Sequence, residues 1–231
     1  MKVPSASSVG SMQSFAAGIM LTLSFHELLL PSAEVIGFPI ACVCTVMGML
    51  LMHTISRCLP ADDGDGVQNV LFHDGRDEDR KFFRVGMVSF IAMSLHNAPE
   101  GLAVFLSTMQ NPQFGAIFAL AIALHNIPEG IAVAAPLYKS TRSVRYTLMV
   151  TCIAGMFEPL GALTAGFFLE PYITTTRLHA LLASVAGVMI HMSVNELIPT
   201  SLEHAGKQQT VLSVSMGFAA CVLLTLTLPE V

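Results

Sequence analysis

The 231-residue chain has no tryptophan, three tyrosines and few charges: Asp, Glu, Lys and Arg make up 12%, about half the share usual in soluble domains. Too few polar faces remain to coat a soluble, all-helical protein, so that class is set aside. Eleven Lys and Arg against sixteen Asp and Glu leave a net charge of −5, which offers no basic surface for nucleic acid. Five cysteines are scattered without a Cys-x-x-Cys pair. The odd count fits no disulfide framework, and they read as small buried hydrophobes.

What the chain has instead is apolar length. Hydrophobic residues make up 53%, and stretches near spanning length, about twenty residues, recur along it. Seven are read, at about 11–31, 37–58, 84–108, 114–136, 146–169, 178–200 and 209–228. The first is too long for a signal-peptide core and carries His26 and Glu27, so it counts as a span. The expected fold is an all-α polytopic membrane bundle of seven transmembrane helices. It forms a single domain over 1–231, with one flexible connection at about 59–83, rich in Asp and Gly.

Charge placement gives the orientation. Lys2, Arg57, Arg76, Arg80, Lys81, Arg84, Lys139, Arg142, Arg145 and Lys207 fall on one side of the alternating connections, and Arg177 on the other. The positive-inside rule puts the N-terminus and the 59–83 connection in the cytosol, and the C-terminus on the far side.

Two apolar stretches carry nearly the same text: Leu95-His-Asn-Ala-Pro-Glu-Gly-Leu-Ala-Val and Leu124-His-Asn-Ile-Pro-Glu-Gly-Ile-Ala-Val. On a helix, His96 with Glu100 and His125 with Glu129 share a face one turn apart. Pro99 and Pro128 cannot donate a backbone hydrogen bond, which frees the carbonyls of Leu95 and Leu124. Imidazole, amide and carboxylate are thus crowded together, twice, where burying polar groups marks an ion pathway. The mixture suits a divalent ion of intermediate softness: Zn²⁺, Fe²⁺, Mn²⁺ or Cd²⁺. Four strong ligands can close a zinc site, and bridging carboxylates can support two metals. The competing reading is helix-packing polarity, which leaves the shared prolines unexplained. Glu158-Pro159-Leu-Gly161 adds a third intramembrane carboxylate, read as ligand or bridge. His191 and Glu196 close the sixth span and His26 with Glu27 the first, where a role at the pathway's ends competes with plain solvation. His53, His179 and His204 are read as ordinary.

These residues resemble the ZIP (Zrt/Irt-like) family of divalent-metal transporters, in its GufA-like branch. The matching stretches are Phe15-Ala-Ala-Gly-Ile-Met, the two His-Asn-x-Pro-Glu-Gly motifs, Glu158-Pro-Leu-Gly and Glu196-Leu-Ile-Pro. The resemblance implies a binuclear transport site of His96, Asn97, Glu100, His125, Asn126, Glu129 and Glu158, with Met20 on the helix that approaches it. It implies inverted-repeat symmetry and alternating access. It also implies that the family's first helix, of eight, has no counterpart here.

The expected function is transport of divalent transition-metal ions, zinc foremost, toward the cytosol, by a protein that is not an enzyme. The transported Zn²⁺ and the lipid bilayer are its expected partners, and a homodimer is compatible with them. The membrane is either the plasma membrane or that of the endoplasmic reticulum or another organelle. Two alternatives stand beside this: an intramembrane zinc-dependent hydrolase, or a non-transporting metal-binding membrane protein. Against the hydrolase, His26-Glu-Leu-Leu-Leu lacks the second histidine of the His-Glu-x-x-His pattern.

Overall fold

The fold comes from a computed structural model, and the structure describes residues 5–58 and 77–227. Among these residues every regular element is helical. Helix α1 (Ala6–Thr22) passes through a π-helical turn, Leu23–Leu29, into α2 (Leu30–Ile36), and α3 (Phe38–Cys58) follows. Then come α4 (Asp77–Gln110), α5 (Pro112–Thr141) and α6 (Val144–Phe168). After a short 3₁₀ turn, α7 (Thr175–Met192) runs through a second π-helical turn, Ser193–Leu197, into α8 (Ile198–Ala205), and α9 (Lys207–Thr227) is the last described element.

The helix starts are written locally. Asn111 caps α5 by accepting from the Gln113 and Phe114 amides, with Pro112 in the first position, where its missing N–H costs nothing. Ser143 caps α6 and Thr174 caps α7 in the same way. Among the described residues, five helical stretches are long and apolar enough to cross a membrane: Ser7–Ile36, Phe38–Arg57, Pro112–Thr141, Val144–Phe168 and Thr175–Ala205. The other two expected spans lie in α4, helical over all of 84–108, and α9, helical over the described part of its stretch, 209–227. One boundary is corrected. The 59–83 connection ends earlier than expected, because α4 already begins at Asp77. Asp77 and Lys81 stand at the i, i+4 spacing that supports a helix. Residues 59–76 lie outside the described residues.

A repeat organises the outer helices. Ala17-Gly18-Ile-Met20, Ser24 and Glu27-Leu28 are matched at one constant offset by Ala186-Gly187-Val-Met189, Ser193 and Glu196-Leu197. Both π turns fall at the matched serines, whose hydroxyls donate to the carbonyls of Met20 and Met189. At the same offset, Gly37 and Gly206 end α2 and α8 with φ of 85° and 78°, a backbone that favours glycine.

The halves pack crosswise. A Cβ at Gly18 would collide with the Val214 carbonyl oxygen, and one at Gly187 with that of Thr45. Gly48 meets Ser184 and Gly217 meets Phe15 in the same manner. Each contact has its counterpart at the constant offset (18 to 187, 45 to 214, 48 to 217, 15 to 184). So α1 packs on α9 and α7 on α3, across the main apolar core. The remaining helices, α4 to α6, form their own bundle around Phe83, Met93, Val133, Leu137, Val150 and Ala154. It leans on the outer helices where α1 meets α5 and α4 meets α7.

Candidate metal centre

Both motif helices run unbroken through their prolines, Pro99 in α4 and Pro128 in α5. The one-residue connection at Asn111 makes them antiparallel neighbours. Motif faces thus meet at mid-helix.

Three side chains converge there. Glu100, His125 and Glu129 are 0%, 0% and 2% exposed. Each offers a ligand atom within 4.8 Å of the others. His125 Nε2 stands 3.1 Å from Glu100 Oε1. Two carboxylates and an imidazole sealed from water are costly without a compensating charge, which a divalent cation supplies.

Helix α6 aims the two asparagines. The Asn97 amide donates to the Ala154 carbonyl at 2.9 Å, and that of Asn126 to Glu158 Oε2 at 2.6 Å. Both acceptors can only accept, so the orientation of each amide is fixed by chemistry. Each Oδ1 is left buried and without a hydrogen-bond partner. Orphaned amide oxygens one helical turn before Glu100 and Glu129 are donor chemistry suited to a cation site. Close approach makes this reach feasible: a Cβ at Gly101 would strike the Glu158 carbonyl, and one at Gly161 that of Ala98.

The expected residues therefore divide. Glu100, His125 and Glu129 come together, and Asn97 and Asn126, each one turn before a motif glutamate, are tied to α6. Glu158 is half-buried and holds Asn126. Met20 is fully buried on α1, the helix that covers α5. His96 lies on α4 one turn before Glu100, and its side chain falls outside the described residues. What sequence reasoning missed is the Ala154 carbonyl, a backbone group with no signature, and a contact between His53 and His191, whose rings stand edge-on with centroids 5.5 Å apart.

The sequence model of the ZIP zinc transporter family matches residues 71–225. The chain belongs to the ZIP family. It is 36% identical over 224 residues to the zinc transporter ZupT of Chlorobium luteolum, covering 93% of this chain and 84% of that protein. It is 33% identical over 243 residues to the zinc transporter ZTP29 of Arabidopsis thaliana, with 99% and 88% covered. ZupT of Streptococcus mutans is 32% identical over 212 residues. As a ZIP-family member the chain is an integral, multi-pass membrane protein and a metal transporter, not an enzyme.

Proposed function

We propose that this ZIP-family chain carries Zn²⁺ toward the cytosol through the Glu100–His125–Glu129 centre. The observation that carries the reading is the burial of these three ligands within 4.8 Å of one another. Asn97 and Asn126 supply neutral oxygen donors, and His96 and Glu158 extend the set toward a second ion. A mixed nitrogen and oxygen set binds firmly enough to replace water and weakly enough to release, as conduction requires. The same donors suit Fe²⁺, Mn²⁺ and Cd²⁺. All seven long helical stretches cross the bilayer in this reading, with the basic connections in the cytosol.

The test is uptake of radiolabelled zinc by cells expressing Glu100→Gln, corrected for surface abundance. Glutamine keeps size and one acceptor but removes the charge. Uptake is expected to fall about 10–100-fold, the scale on which disturbed metal sites lose affinity or activity. Uptake equal to the parent's would mean that the centre is not the transport site.

A further inference from the structure

The internal repeat acts as a control for every residue placed on it. At the π turn after α7, His191 Nε2 stands 3.4 Å from His53 Nδ1 on α3. His191 is 6% exposed, while His53 lies at the surface. Three residues beyond His53, Ser56 Oγ donates to Glu196 Oε1 at 2.8 Å, holding that carboxylate on the same seam. Asn195 donates to the His191 carbonyl at 3.0 Å, anchoring the turn itself.

The other half of the repeat has the same fold without the imidazoles. At the constant offset, His191 corresponds to Thr22 and His53 to Val222. Packing of these helices therefore requires no histidine at either place. The spacing also has a meaning. Two imidazole nitrogens bound to one tetrahedral zinc at about 2.0–2.1 Å each stand about 3.3 Å apart. That is close to the separation found here.

We infer that His53 and His191 form a second divalent-metal site, apart from the buried centre, at the end of the α3–α7 seam. Water completes the coordination. Imidazole suits an ion of borderline softness, so the site takes the same class of ion as the centre. Two fixed ligands make a looser site than five, suited to a brief stop. Its placement on the cytosolic side rests on the topology proposed above; its existence does not.

The test is the number of zinc ions bound by the purified full-length chain in detergent, by equilibrium dialysis. His53→Val combined with His191→Thr installs the residues that the other half already packs. The double variant is expected to melt as the parent does and to bind one zinc ion fewer. An unchanged zinc count in the double variant would overturn the site. A second arm starts from Glu100→Gln, in which the ion lost to the pair of histidine substitutions should still be lost. Loss of that ion only when Glu100 is intact would also overturn it, because the two sites would then be one. Failure of the central reading shows separately, as a Glu100→Gln variant with the parent's full count.

Discussion

The crosswise repeat of α1–α3 and α7–α9 and the central bundle of α4–α6 are packed by the same device, glycine against a neighbouring backbone carbonyl. They differ in how they treat several of their most buried polar groups. In the repeat, Thr22, Ser24, Thr45 and Ser193 each return the hydroxyl to the carbonyl four residues back in the same helix. Such a group is satisfied before the helices meet and asks nothing of a neighbour. In the bundle, Asn97, His125 and Asn126 reach across to another helix, and both amides leave a buried oxygen orphaned. A polar side chain that closes on its own helix is structure. One that crosses a seam and still holds an acceptor in reserve is poised for an ion.

The sharpest test removes one group of each kind. Asn97→Ala deletes a reserved oxygen and the tie to Ala154, and zinc affinity is expected to fall about 10–100-fold. Ser24→Ala deletes a bond that ends on its own helix. It should lower stability by about 0.5–1 kcal/mol, near the low end for a hydrogen bond, and leave zinc affinity unchanged. Zinc titration and thermal melting of both variants read the two effects side by side. Equal affinity loss in both would erase the distinction between the regions.

A middle-sized effect separates the glycines. Gly187→Ala and Gly101→Ala each force a methyl into a backbone carbonyl, of Thr45 and of Glu158. Overpacking of this kind costs about 1–3 kcal/mol, so both should melt early. Only Gly101→Ala should also weaken zinc binding, since it pushes α6 away from the asparagines that α6 aims. Melting shifts without any difference in binding would show that the bundle tolerates a shift its geometry forbids.

The paired motifs were legible because their chemistry is local: His125, Pro128 and Glu129 declare a helix face within five residues. The seven helical stretches were legible from apolar length. The start of α4 was misjudged because Asp77 to Lys81 reads as a solvated charge run, and charge density argues for a loop unless spacing is weighed. The histidine pair was invisible for another reason. His53 and His191 lie far apart in sequence, and neither sits in a motif. The signal that could have found them is the constant-offset repeat, which shows what the fold itself does not require. Identity at that offset is sparse, but it includes glycines that meet a backbone carbonyl and the serines of both π turns, where the backbone has a reason to be the same.

The smallest expected effect is the most exacting for the comparison. Gly155 lies in α6 one residue after Ala154, and a Cβ there would meet nothing within 4 Å. Its carbonyl is the one that Pro159 leaves without a helical donor. If α6 serves only as a rigid rail that aims Asn97 and Asn126, then Gly155→Ala adds a methyl to open space. It should then stabilise the chain by up to about 1 kcal/mol through helix propensity alone. Zinc uptake should stay at the parent's level. A higher melting temperature with reduced uptake would instead mean that α6 must flex at Gly155–Pro159 during the cycle. The bundle would then differ from the repeat in needing a hinge as well as in what it buries. Measuring melting and uptake on the same preparation of cells separates the two cases, because a rail gains from the added methyl and a hinge loses.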